Sequence, residues 1–262
     1  MKSIKYRVLV IAGSDSGGGA GIQADIKTIN ALGGYPMTAI TSLTAQNTRK
    51  IYHMTAVPHK MVASQMISAF EDVGVDVIKI GMLGNRQNIS AIVKVLKKKK
   101  FNGKIIIDPI LKSTTGVRLI SKDAISSLKK KLFPLASMVT PNVFEAEKLS
   151  GVSISDSKNI KKAAHKILDL GPESVLITGY AARKGHLSDI LVGKNGEKVT
   201  EYKKVLFSGA HGTGCTLSSA IAVGLAKHMT IPRAYKSGFS FVQSSIKKAH
   251  FSKGKRAYLT QR

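Results

Sequence analysis

Short, continuously apolar runs alternate along this chain with longer stretches in which apolar residues recur every three or four positions. The runs Arg7–Ala12, Met37–Thr44, Val77–Gly81, Lys104–Asp108, Ser137–Thr140, Ser174–Thr178 and Leu187–Val192 predict strands. The periodic stretches Gly21–Leu32, His59–Val73, Asn85–Lys99, Ser121–Leu132, Val143–Leu149, Ser157–Leu170, Gly214–Lys227 and Ile231–Lys248 predict helices. This alternation predicts an α/β chain with a mainly parallel sheet and helices on both faces. Ile105-Ile106-Ile107 is apolar at every position, as a strand covered on both sides should be. No linker or repeat interrupts the pattern, so residues 1–262 are expected to form one domain. Ligands in such sheets bind beyond the carboxyl ends of strands. That directs attention to the loops after Ala12, Gly81, Asp108, Thr140 and Thr178, and to the turn before Gly214.

Composition narrows the function classes. No apolar run reaches the roughly 18 to 20 residues of a membrane helix, and no secretory leader pattern follows Met1–Arg7. A cytoplasmic protein with no membrane partner is expected. The single cysteine, Cys215, excludes an intrachain disulfide and an all-cysteine metal site. A net charge of +26 raises the question of nucleic acid. Only eight of the 41 basic residues are arginine, the side chain suited to bidentate recognition of bases and phosphates. The lysines are scattered. The one dense run, Lys97–Lys100, closes a predicted helix where cations suit the dipole. No nucleic-acid partner is expected.

Two glycine-rich turns carry the candidate chemistry. The first, Gly13-Ser14-Asp15-Ser16-Gly17-Gly18-Gly19-Ala20-Gly21, joins a strand to a helix and lets a ligand approach the backbone. It lacks the dinucleotide fingerprint, because the residue three after Gly19 is Ile22. The second is Ser208-Gly209-Ala210-His211-Gly212-Thr213-Gly214-Cys215-Thr216. Gly209 and Gly214 have P-loop spacing, yet Cys215 stands where that mechanism needs lysine. What remains is a set of backbone N–H groups at the positive end of a helix, suited to a phosphate. Cys215 in the first helical turn is either a thiol whose pKa the dipole lowers or a small buried hydrophobe.

These turns belong to a longer set of motifs. Ala12–Asp25, Ser42-Leu43-Thr44-Ala45-Gln46-Asn47-Thr48, Ile80-Gly81-Met82-Leu83, Asp108-Pro109-Ile110, Thr140-Pro141-Asn142 with Glu145-Ala146-Glu147, and His211–Thr216 follow one another from about residue 8 to residue 248. The set closely resembles bacterial hydroxymethylpyrimidine and phosphomethylpyrimidine kinases. The resemblance implies a ribokinase-like three-layer α/β/α domain with a mainly parallel central sheet. It implies an enzyme that phosphorylates 4-amino-5-hydroxymethyl-2-methylpyrimidine and then its monophosphate for thiamine synthesis, with ATP and Mg²⁺, as a homodimer.

By the same resemblance, Cys215 takes the place of a catalytic base, and Gly212, Thr213 and Gly214 form the anion hole. His211 is read mainly as a structural neighbour of that turn. Gln46, Gly13, Ala20, Asp25 and Met82 are implied to line the pyrimidine pocket. The Gln46 amide can match an aminopyrimidine edge with an acceptor and a donor. Asp25 could equally be a first-turn residue favoured by the dipole, and Met82 a core residue. Asn142 and Glu145 are implied to hold Mg²⁺ largely through waters, and Asn142 also suits a helix N-cap. Asp108, Thr178 and Gly179 are implied by the same resemblance to face the nucleotide.

The chain departs from the pattern in two places. Thr178-Gly179-Tyr180 replaces a usual Lys-Gly-Gly, a lost cation near the phosphates that implies weaker ATP binding unless Arg183 or Lys184 substitutes. Lys112-Ser113-Thr114-Thr115-Gly116-Val117, the expected mobile flap, lacks the usual acid after its glycine. Relatives that also act on pyridoxal tend to carry a cysteine where this flap has Ser113. Two alternatives remain: a pyridoxal kinase on the same fold, and a pyrimidine sensor without turnover.

Overall fold

The computed structural model describes residues 3–47, 49–113, 115–194, 196–205, 210–253 and 257–262. Its sheet has nine strands: β1 (Arg7–Asp15), β2 (Tyr35–Gln46), β3 (Ile51–Ala56), β4 (Val77–Ile80), β5 (Lys104–Ile107), β6 (Met138–Val139), β7 (Ser174–Arg183), β8 (His186–Gly193) and β9 (Gly196–Lys203). The spatial order is β3-β2-β1-β4-β5-β6-β7-β8-β9. Strands β2, β1, β4, β5, β6 and β7 are mutually parallel. Antiparallel β3 flanks one side, and the meander β7-β8-β9 closes the other. The helices are α1 (Gly21–Ala31), α2 (His59–Ser68), α3 (Arg86–Lys98), α4 (Lys122–Ser127), α5 (Val143–Ser150), α6 (Ser157–Leu168), α7 (Thr213–Ala226) and α8 (Ile231–Lys247).

The period of two in a strand explains the layering. On β1, Val8, Val10 and Ala12 pack into one core with residues of α1, α7 and α8. Leu9 and Ile11 point the other way, into the larger core with residues of α2 to α6. Both faces are covered, so the strands read as unbroken apolar runs. Helix α7 is buried from Cys215 to Ala226. Its small residues let α8 lie close: a Cβ on Gly224 would stand 2.9 Å from the Ala234 Cβ.

Every predicted element is present, with four differences. The helices from His59 and Ser121 each end in a single π turn, Ala69–Val73 and Leu128–Leu132. The strand from Ser174 continues to Arg183, because the antiparallel partner β8 satisfies its backbone beyond Thr178. Strands β3 and β9 were not predicted: both lie at the sheet edges and are mostly exposed, β9 being largely polar and β3 a short run interrupted by His53 and Thr55. A separate three-stranded sheet joins β10 (Ala210–His211), β11 (His250–Phe251) and β12 (Ala257–Tyr258) in the order β10-β12-β11. Among the described residues, no helix is long and apolar enough to cross a membrane.

Candidate active site

Strand order reverses between β1 and β4, since the chain runs from β1 out to β2 and returns on the other side. The carboxyl edge at that switch point is where an open α/β sheet binds ligands. A cavity of about 250 Å³ opens there, lined by both glycine turns and by residues from the ends of β2, β4, β5 and β6.

The first glycine turn is organised by Asp15, which is 3% exposed. Its carboxylate accepts from the Gly17, Gly19 and Ala20 amides at 2.8, 3.1 and 2.8 Å and lies 3.0 Å from His211 Nε2. Burial pushes the Asp15 carboxyl up, but His211 and the backbone amides outweigh it and hold the group below the usual carboxylate range. Three of the turn's amides are thus already used by protein. The glycines serve close packing of the two turns. A Cβ on Gly212 would overlap the Gly19 carbonyl, and one on Gly21 (φ +55°) would overlap the Gly13 carbonyl. His211 lies between the turns as a hydrogen-bond partner of Asp15, which agrees with its structural reading.

The second turn leads into α7 through Gly212, whose φ of 87° is left-handed. Ser208 and Gly209 of the predicted turn lie outside the described residues, as do Thr48 and Thr114 of the other motifs. Among the described residues, no side chain caps α7. The first-turn N–H groups of a helix have no intrahelical partner, and those of Thr213, Gly214 and Cys215 are of this kind. All three residues border the cavity. Asp108 stands beside them, its Oδ2 3.6 Å from where a Gly214 Cβ would be. Ser218 Oγ lies 2.9 Å from the Gly214 carbonyl O and 3.3 Å from Asp108 Oδ2.

Cys215 corrects one expectation. Its thiol is 6% exposed and is pushed up to about 12 by burial, against the lowering effect of Lys79. Desolvation outweighs the helix dipole, so the free protein holds a thiol at neutral pH.

The remaining residues fall into three groups. Gln46, Gly13, Ala20 and Met82 all line the cavity. Gln46 is held through its backbone, where N accepts no ligand but donates to Ser16 Oγ at 2.8 Å. Its side-chain amide makes no hydrogen bond among the described residues and faces the cavity. Asp25 is the second correction: it is fully buried and does not line the cavity. It lies on the inward face of α1 with Ile22 and Ile29, bound to Lys79 Nζ at 2.9 and 3.0 Å and to Ser219 Oγ at 2.7 Å. Burial holds its carboxyl above the usual range.

Asn142 and Glu145 form the capping box of α5: Glu145 N donates to Asn142 Oδ1 at 2.9 Å, and Asn142 N donates to Glu145 Oε2 at 3.0 Å. Both also line the cavity with Asp108. Burial and then the charge of Asp108 push Glu145 up to about 8. Burial pushes Asp108 up to about 6. Two crowded carboxyls at a cavity wall are what a divalent cation relieves, and hard oxygen donors suit Mg²⁺.

Thr178 lines both this cavity and a second one of about 560 Å³, which also takes in Gly179, Lys203, Lys204, Leu217, Phe239 and Val242. The cavities meet at Thr178, Thr213 and Gly214, across the N-terminus of α7. Of the two basic residues that could replace the missing cation, Arg183 is turned to another partner. It pairs with Glu201 at 2.6 Å, five residues farther along β7 and therefore roughly 17 Å from Thr178. Lys203 and Lys204 stand at the second cavity instead. The flap segment is a hydrogen-bonded hairpin, with Ser113 N donating to the Val117 carbonyl at 2.8 Å. Lys112 and Ser113 line the cavity.

Sequence reasoning missed Asp15, Lys79 and the C-terminal segment. Strand β12 pairs with β10, so Tyr258 packs edge-on against His211, and Gln261 Nε2 donates to Thr216 Oγ1 at 3.2 Å. The period-two burial of Ala257, Leu259 and Gln261 was the available signal, but it spans too few residues to read alone.

An α/β/α layered sheet, with an uncapped helix N-terminus between two cavities and carboxylates beside it, defines a small-molecule kinase of the ribokinase-like class. The chain belongs to the phosphomethylpyrimidine kinase family, whose model matches residues 15–260. It is 41% identical over 242 residues to the thiamine biosynthesis bifunctional protein ThiED of Geobacter sulfurreducens, covering 92% of this chain and 49% of that one. It is 38% identical to the hydroxymethylpyrimidine/phosphomethylpyrimidine kinase of Rhizobium meliloti, covering 92% and 90%. Among solved structures, the phosphomethylpyrimidine kinase of Clostridium difficile is 40% identical with a TM-score of 0.81, over 92% of this chain and 99% of that one. The pyridoxal kinase of Staphylococcus aureus in complex with ADP is 31% identical with a TM-score of 0.89, over 99% and 94%.

Proposed function

We propose that the protein transfers the γ-phosphoryl group of ATP to hydroxymethylpyrimidine and then to hydroxymethylpyrimidine monophosphate. The observation that carries this reading is the meeting of the two cavities across the N-terminus of α7. The smaller cavity takes the aminopyrimidine, with Gln46 offering its amide edge and Met82 its apolar wall. The larger takes the nucleotide, with Leu217, Phe239 and Val242 against the base and Lys203 and Lys204 near its phosphates. Thr213, Gly214 and Cys215 then present their N–H groups to the phosphoryl group in flight.

In the transfer, a bond forms between the substrate hydroxymethyl oxygen and phosphorus, and the bond from phosphorus to the ADP oxygen breaks. The hydroxyl proton must leave, and Cys215 Sγ accepts it when the sulfur is ionised. Burial disfavours that form, so the amides contribute more to the rate than the base does. Mg²⁺, held through waters by Asn142 and Glu145, supplies neutralisation of phosphate charge when bound. The exposed Leu43, Tyr52 and Met54 on the β2–β3 edge favour a homodimer, which sedimentation velocity would test.

The pyridoxal reading is weighed by kinetics. ADP release is measured with hydroxymethylpyrimidine and with pyridoxal. The account expects the larger kcat/KM for the pyrimidine; a larger value for pyridoxal overturns it, and pyrimidine binding without ADP release favours a sensor.

A further inference from the structure

Strand β4 reads Val-Ile-Lys-Ile, and all four residues are buried. Lys79 is 0% exposed. A buried ammonium carries a large desolvation penalty, and an ion pair in a core is a poor substitute for an aliphatic residue. The position of this one points to another use. Lys79 shares the face of Val77, toward α7. Its Nζ extends toward the carboxyl edge of the sheet: a Cβ on Gly81, two residues farther on, would stand 3.1 Å from it. The ammonium thus lies directly under the site.

Helices α1 and α7 are joined above it at two levels. At the lower, Ser219 Oγ donates to Asp25 Oδ1 at 2.7 Å, and the same carboxylate holds Lys79 Nζ. One helical turn nearer the cavity, the Gly21 backbone lies near the Cys215 sulfur and favours its ionised form. Cys215 and Ser219 are four residues apart and share one face of α7. Among the described residues, Asp25 from α1 contacts the ammonium, and Asp108 from the loop after β5 and Cys215 from α7 lie within its electrostatic reach.

We propose that Lys79 is a positioning residue for phosphoryl transfer, a fixed cation beneath α7 that stabilises negative charge on the Cys215 sulfur. Asp25 locks the ammonium in place, which accounts for its burial away from the substrate. The proposal rests on the reading of Cys215 as proton acceptor, but its test does not use turnover.

Cys215 is the only cysteine, so thiol modification of the whole protein reports on it alone. The second-order rate of reaction with methyl methanethiosulfonate is measured by intact-protein mass spectrometry between pH 7.5 and 9.5. Each unit of increase in thiol pKa removes tenfold in thiolate and returns about threefold in nucleophilicity, for a net loss of about threefold. Lys79→Met is expected to react at least threefold more slowly than the wild type, and Lys79→Arg to recover most of the rate. Lys79→Met with Asp25→Asn leaves no stranded charge and carries the test should the single variant not fold. Wild-type rates in the neutral variants, or a Lys79→Arg as slow as Lys79→Met, would overturn the proposal. Loss of kcat in Cys215→Ser alongside such a result would leave the base reading intact. Slowed modification with unchanged kcat in Cys215→Ser would remove the base reading alone.

Discussion

Asp15 and His211 are 196 residues apart in sequence and 3.0 Å apart in the structure, and their contact ties the first glycine turn to the second. The same carboxylate takes three backbone amides, so its loss strands several donors at once. Asp15→Ala is expected to lower stability by about 2 to 4 kcal/mol, read from urea unfolding. Because the folded carboxyl lies below its unfolded value, this stabilisation is present above about pH 4 and is lost as pH falls through the folded value. Acid unfolding curves of Asp15→Asn should therefore be flatter than those of the wild type.

Glu145 has the opposite sign. Its carboxyl is raised to about 8 in the folded protein, so ionising it there costs stability as pH rises from about 4.5 to 8. Glu145→Gln keeps the capping box and removes the ionisable group. The variant without nucleotide should melt about 2 to 4 °C higher than the wild type at pH 8.5, while its Mg²⁺-dependent turnover falls tenfold or more. A melting temperature below that of the wild type would contradict the burial argument.

Cys215→Ser should lower kcat by about 10² with little change in KM, if the sulfur accepts the hydroxyl proton. Since the thiol of the free protein is pushed up to about 12, kcat/KM in the wild type should keep rising with pH to the limit of stability, without a plateau near 9. An unchanged kcat in the variant returns Cys215 to the packing role.

Gln46→Leu removes the amide that faces the smaller cavity and should weaken pyrimidine binding by about 1 to 3 kcal/mol, measured by calorimetry. Unaltered affinity would place the pyrimidine elsewhere.

The layered sheet was legible because most buried strands are apolar runs and the half-buried helices, such as α3, α6 and α8, show their period. Edge strands β3 and β9 were not, since exposed edge strands need no unbroken buried run: β9 is largely polar, and β3 is short and broken by His53 and Thr55. The turn at Gly212–Cys215 could be read as a phosphate site from its glycines and its place before a helix. Its electrostatics could not: whether dipole or desolvation governs Cys215 depends on burial beneath residues far away in sequence. Asp25 shows the same limit. Its motif identified it, but only the fold shows that its partner is Lys79 on β4 and that the cavity lies elsewhere.

The central claim is two successive phosphorylations of one pyrimidine at the α7 N-terminus. ³¹P NMR of hydroxymethylpyrimidine incubated with the enzyme, ATP and Mg²⁺ tests it directly. The account predicts a monophosphate resonance that grows first and then gives way to the paired resonances of a diphosphate, with ADP formed in step. ADP formation with no phosphorylated pyrimidine, or no change in the spectrum at all, would contradict it.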